Sequence, residues 1–170
     1  TKVLYQGEEI DFTPPWRRLS VFEGIRQYSG FDAETLSHEE LYQKVRELGS
    51  EAKPTASHGE LTMEAFELAV EKHLWQPTFV VDFPKEVSPL TKTHRENPRL
   101  VERFEPMVAQ MELGNAYTEL NDPEDQLGRL QEQEAKRVVD EEAQPMDADF
   151  VHAVDVGMPP TGGVGLGVER

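Results

Sequence analysis

Apolar positions along the chain fall into short runs whose period changes at recognisable punctuation. Residues 3–12, V-L-Y-Q-G-E-E-I-D-F, read as a hairpin turning near Gln6 and Gly7 and ended by two prolines, Pro14 and Pro15. Trp16, Arg17 and Arg18 read as a loop, a surface anchor in preference to a grip on an anion. Ser20 and Glu23 then have capping-box spacing, for a helix through about Tyr28 that stops at Gly30. Ser37 and Glu40 make a second box, with Leu41, Val45 and Leu48 as the buried stripe and Gly49 as the stop. Residues 49–59, small and polar around Pro54, read as a loop or linker. A third helix over about 60–74 would bury Leu61, Ala65, Phe66, Ala69 and Leu74. Residues 31–75 are thereby predicted to be a helical insertion packed on a sheet domain.

Beyond Pro77 the run T-F-V-V-D-F is apolar on both faces, as a buried central strand is, and Pro84 ends it. Residues 88–98 are polar and carry a basic island of Lys92, His94 and Arg95, read as a solvated loop in preference to a flap over an anionic substrate. Asp122 can cap a helix that has Pro123 at its first position and runs to about Val139. A short helix over 147–156 would bury Phe150, Val151 and Val154 and stop at Gly157. The last residues form a glycine-rich strand leading toward a helix, with Gly162, Gly163, Gly165 and Gly167 permitting close backbone approach to a ligand. Arg170 stands where that helix would begin, well placed to meet a phosphate.

Between these elements lies the acidic stretch 103–125. Glu105, Glu112 and Glu119 sit seven residues apart, a spacing that would stack them on one helix face, but Pro106 and Gly114 argue against a helix. As a strand, Asn115, Tyr117 and Glu119 share one face, while Ala116, Thr118 and Leu120 take the other. If the chain doubles back between Pro106 and Met111, Glu105 comes opposite Glu112. Facing carboxylates repel and are tolerated where a divalent cation or a basic ligand compensates. A solvated acidic strand edge is the alternative, and the default in so acidic a chain. A face of amide, phenol and carboxylate suits a cationic, hydrogen-bonding ligand.

Composition narrows the classes. The chain has 170 residues, 37% hydrophobic and 29% charged, enough for one domain or a large part of one. A net charge of −16 argues against a bulk electrostatic grip on nucleic acid or anionic membrane. Without cysteine there is neither a disulfide framework nor a thiolate metal site, and His58 and His73 lack a partner at metal-ligand spacing. No apolar run has bilayer length and the start has no signal-peptide pattern, so a soluble, cytoplasmic α+β protein is expected.

The order of motifs resembles a class II aminoacyl-tRNA synthetase, specifically its lysyl members. The closing G-L-G-V-E-R (165–170) looks like the third signature motif of that class. P-T-F-V-V-D-F-P (77–84), S-P-L-T-K (88–92), R-F-E (103–105), E-L-G-N-A-Y-T-E-L-N-D-P (112–123) and G-M-P-P-T-G-G (157–163) follow in the lysyl members' order. I-D-F…P-W-R-R-L-S (10–20) is similar to the stretch after the second motif.

The resemblance implies part of a catalytic domain, a mostly antiparallel sheet flanked by helices. It also implies activation of lysine by ATP and transfer to tRNA(Lys), with Mg2+ as cofactor, in a homodimeric full-length protein. Carried over by motif, Glu105 and Glu112 match magnesium ligands that also serve ATP. Asn115, Tyr117 and Glu119 match lysine-binding residues, Gly167 lies in the run against which the nucleotide packs, and Arg170 matches the arginine on the γ-phosphate. Departures are Ala109 and Gln110 where the family turns on glycines, Met111 where it carries arginine, and Val168 and Glu169 in place of Ile-Asp. The first two signature motifs and the anticodon-binding domain lie outside the chain, which alone is expected to be inactive. Acylation of a protein or lipid, and a non-catalytic nucleotide-binding or interaction role, are the alternatives.

Overall fold

In the computed structural model the N-terminal hairpin forms where its pattern places it. β1 (Lys2–Tyr5) and β2 (Glu8–Asp11) pair antiparallel, and both turn residues, Gln6 and Gly7, are left-handed at φ 50° and 87°. Such a turn matches the twist of the strands it joins, and Gly7 adopts it without a Cβ clash. The structure describes residues 1–136 and 146–170.

Residues 17–20 are not a loop. They form β3 (Arg17–Ser20), parallel to β4 (Thr78–Val81) with Leu19 against Val80. Leu19 is its only apolar residue, and it is fully buried while both arginines face solvent, so the strand has almost no sequence signal. Helix α1 (Val21–Ser29) follows at once and ends at Gly30 in the left-handed conformation, φ 81°. The capping box expected at Ser20 and Glu23 does not form: the Ser20 side chain caps nothing, and its backbone is the last ladder position of β3.

Helices α2 (His38–Glu47) and α3 (His58–Ala69) each begin with a complete capping box, from Ser37 with Glu40 and from Ser57 with Glu60. α3 starts two residues earlier than expected and ends at Ala69, where a 3-10 turn, Glu71–His73, takes over. Together α1–α3 bury Ile25, Leu41, Val45, Leu61, Ala65, Phe66 and Ala69 against Leu19, Val80 and Met107 of the sheet. Each fully buried Val, Leu, Ile, Phe or Met side chain among them contributes about 1.5–3 kcal/mol of transfer free energy, and each alanine less.

The main sheet runs β3-β4-β5-β7-β8, with β5 (Arg103–Val108), β7 (Gly114–Thr118) and β8 (Gly162–Leu166); the short β6 (Met111–Glu112) also pairs with β5. Every pair but β3–β4 is antiparallel, the mostly antiparallel α+β arrangement that was expected. β4 is an interior strand, second from the edge, and only its Thr78 and Val80 face is fully buried. On its other face Phe79 stacks on Trp16 at 5.0 Å and meets Phe104 edge-on at 5.5 Å.

Helix α4 (Pro123–Lys136) is capped as expected, the Asp122 carboxylate accepting the amides of Glu124 and Asp125 at 3.0 and 3.2 Å. Its expected end near Val139 falls outside the described residues. Helix α5 (Ala148–Gly157) buries Val154, while Phe150 and Val151 are half-buried instead of buried.

Residues 88–98 are irregular and partly exposed, as expected of a loop, but the stretch 91–93 is tied to its neighbours. Thr91 and Thr93 form bridges to Glu119 and Val101, and the Lys92 amide donates to Thr118 O at 2.8 Å. The basic island is paired too: Lys92 Nζ donates to Asn121 at 2.9 Å, and Arg95 pairs with Glu102 at 2.7 Å. No helix among the described residues is long and apolar enough to cross a membrane.

Candidate active site

A one-residue shift in strand register creates the site. Met107 lies opposite Glu112 across β5 and β6, but Arg103 lies opposite Tyr117 across β5 and β7, so β6–β7 contains one residue more than β5 between those pairs. This is a β-bulge around Leu113 and Gly114. In an unbroken strand Glu112 and Asn115, being of opposite parity, would point to opposite faces. The bulge brings Glu112, Asn115 and Tyr117 to the face that carries Arg103 and Glu105. Glu105 does not lie directly opposite Glu112, as the simple hairpin predicted. Met107 takes that position, and Glu105 is the diagonal neighbour on the same face.

Local contacts hold this geometry. Ala109 and Gln110 turn the hairpin with positive φ, 51° and 64°, without glycine. Their amides donate to Trp75 O and Leu74 O at 2.9 Å each, so docking on the segment after α3 stabilises the turn. At Gly114 a Cβ would lie 2.4 Å from Gly165 O, which leaves no room for a side chain where β7 meets β8. On β8, Gly165 lies opposite Asn115 and Gly163 opposite Tyr117, giving that part of the face a bare backbone floor. A Cβ on Gly163 would lie 2.7 Å from Glu119 Oε1.

Arg103 occupies the middle of the face, a residue with no role in the sequence reading. Its guanidinium lies 4.5 Å over the Phe83 ring. Nε donates to Asn115 Oδ1 at 3.1 Å, Nη1 to Ser88 Oγ at 2.8 Å, and Nη2 to the Glu105 carboxylate. The R-F-E alternation, which puts Arg103 and Glu105 on one face, was the available signal. Burial raises the Glu105 pKa, opposed by Arg103 and reinforced by Glu112. Glu119 is half-buried, and its carboxylate has no hydrogen-bond or ion-pair partner among the described residues; burial raises its pKa. Burial also raises the Tyr117 phenol, with Glu119 adding to the effect.

Glu71, in the 3-10 turn after α3, is a second residue the sequence did not single out. Its pKa is pushed up to about 7 by burial and then by Glu67, Glu105 and Glu112. Sequence carried no local signal for it, because the charges that raise it arrive through tertiary packing.

At the other end of the face, Arg170 Nη1 donates to Glu112 O at 2.6 Å and lies 3.8 Å from its carboxylate. The Gly167 amide donates to Leu113 O at 2.9 Å. Residues 168 and 169 form a turn, with the Arg170 amide donating to Gly167 O at 3.1 Å. The residues predicted from sequence thus form one row, from Arg170 and Glu112 through Glu105 and Asn115 to Tyr117 and Glu119. A cleft of about 450 Å3 between α3, α4 and residues 84–100 contains none of them.

Two carboxylates on one face are hard oxygen donors, and they fit Mg2+, which completes its octahedron with waters and phosphate oxygens. Among the described residues no three His, Asp or Glu side chains gather into a protein-only metal cage.

The profile of the tRNA synthetases class II (D, K and N) matches residues 1–170. The chain belongs to this family. Curated lysine–tRNA ligases are among its relatives: that of Thermoanaerobacter pseudethanolicus is 48% identical, that of Moorella thermoacetica 47% and that of Methanoculleus marisnigri 49%. In each case all of this chain is matched, against 34%, 35% and 34% of the relative. The chain therefore spans about a third of the length of the synthetases it matches. Its mostly antiparallel sheet with flanking helices is consistent with part of a class II catalytic domain.

Proposed function

We propose that this chain forms one wall of a lysine-activating site, in which a protein of the relatives' full length joins lysine to ATP and passes it to tRNA(Lys). The observation that carries the reading is the bulge, which sets a carboxylate pair and an Asn-Tyr-Glu row on one face, with Glu119 at its end unpaired among the described residues. An unpaired, half-buried carboxylate needs a cation, and the ammonium of a lysine side chain supplies one. Neutral amino acids would leave Glu119 unpaired, a cost of about 1–3 kcal/mol or more for a charged group.

Asn115 and Tyr117 orient the substrate. Glu105 and Glu112 would hold Mg2+, which when bound neutralises charge on the ATP phosphates. Arg170 meets the γ-phosphate, and Gly167 keeps the backbone close to the nucleotide. Activation then needs the substrate carboxylate held in line with the α-phosphate, so that its oxygen bonds to phosphorus as pyrophosphate leaves. Positioning and charge stabilisation suffice, without a covalent enzyme nucleophile. A homodimer and a cytoplasmic setting belong to the same reading.

Lysine-dependent ATP–pyrophosphate exchange tests it: the full-length protein carrying this chain should exchange and the 170 residues alone should not. In the full-length protein Glu119→Gln should weaken lysine binding at least tenfold while leaving Mg-ATP binding within about twofold. Exchange that is indifferent to lysine would sink the reading.

A further inference from the structure

Arg103 is the most heavily engaged cation of the site face, and its contacts span both halves of the site. Its side chain is 19% exposed and its guanidinium sits over the Phe83 ring, with a separate acceptor for each nitrogen. A guanidinium only donates, so the Asn115 atom that faces it must be the carbonyl oxygen. That fixes the amide orientation and turns Nδ2, which has no protein partner among the described residues, away from Arg103 as a hydrogen-bond donor for a ligand. The same fork takes Glu105 Oε1, leaving Oε2 without a hydrogen-bond partner among the described residues. Ser88 Oγ holds the third nitrogen and sits on a segment anchored to β7.

We propose that Arg103 is a positioning residue that joins the two half-sites: it orients the Asn115 amide toward the amino-acid substrate and the Glu105 carboxylate toward the metal–nucleotide. The proposal rests on the lysine-activation reading. A planar fork with fixed donor directions does this, whereas the point charge of lysine holds one partner at a time. Because one guanidinium serves both halves, displacement at either is felt at the other, and occupancy of the two is thermodynamically linked.

Calorimetry on the full-length protein carrying this chain tests it, with lysine and Mg-ATP as the titrants. Arg103→Lys should weaken lysine binding about tenfold with Mg-ATP affinity changed less than threefold, because the ammonium that remains still holds the Glu105 carboxylate while it releases the Asn115 amide. It should also reduce the enhancement that one ligand gives the other. In an Asn115→Ala background the same substitution should leave lysine affinity within about twofold, because its effect runs through that amide. Effects of Arg103→Lys and Asn115→Ala that multiply independently would overturn the proposal and leave Arg103 a packing residue. If Arg103→Lys loses both ligands together, Ser88→Ala decides, since it removes only the Nη1 anchor. A several-fold loss of lysine affinity that vanishes with Asn115→Ala supports the proposal; unchanged affinity overturns it. Absence of lysine binding to the unmodified protein sinks the lysine reading and this inference together. Normal lysine binding to both Arg103→Lys and Ser88→Ala sinks the inference alone.

Discussion

Glu71 holds its proton to about pH 7 because burial and three neighbouring glutamates disfavour its charge. Its ordinary value is 4.5, so between about 4.5 and 7 the folded chain binds more protons than the unfolded one. Stability supplied through this group is therefore highest at low pH, falls as pH rises through that window, and stays low above it. Glu71→Gln removes the dependence. Urea unfolding of both proteins across that range should give a difference in the variant's favour that opens above pH 5 and is complete near pH 7.5, closing again below about 4.5. Parallel curves would contradict the assignment. None of this was legible in the sequence, where Glu71 is one acidic residue among many. Glu105, Asn115, Tyr117 and Glu119 were legible, because alternation along a strand is local and the motif around them is distinctive.

At the scale of elements, the boundaries carried by local hydrogen bonds could be read in advance. Gln6 and Gly7 turn the first hairpin, Ser37 with Glu40 starts α2, and Asp122 with Pro123 starts α4. Elements that depend on a distant partner could not. β3 is recognisable only by its pairing with β4, and residues 88–98 are fixed by Thr118, Glu119 and Val101. The bulge belongs to this second kind: its register is set by what β5 pairs with on each side of Gly114. Gly114→Ala places a methyl group 2.4 Å from Gly165 O, a backbone atom that can move only if β8 moves. The substitution should lower unfolding free energy by about 1–3 kcal/mol in urea titrations. A variant as stable as the parent would show that β8 is not held against β7 at that point.

At the scale of the whole molecule, Arg129 of α4 ties the helix to the segment behind the site. It is 5% exposed, pairs with Asp125 at 2.7 Å, and donates to Thr91 O at 2.6 Å and Thr93 Oγ1 at 2.7 Å. Arg129→Met would leave those acceptors without their donor, so unfolding free energy should fall by about 2–4 kcal/mol. Hydrogen exchange at residues 91–95 should rise with it. Loss of stability without faster exchange there would assign Arg129 a role within α4 alone. By itself the sequence determined the helices, the caps of α2 and α4, the first hairpin, the strand after Pro77 and the alternation that puts Asn115, Tyr117 and Glu119 on one face, since each follows from periods and contacts a few residues long. Tertiary structure alone decided which face Glu112 joins, that Arg103 links Glu105 to Asn115, and that burial and neighbouring carboxylates push the Glu71 pKa up. Register across strands and burial beneath helices are set by residues far apart in the chain. The acidic stretch therefore becomes a site only when β5 and β7 pair across the bulge.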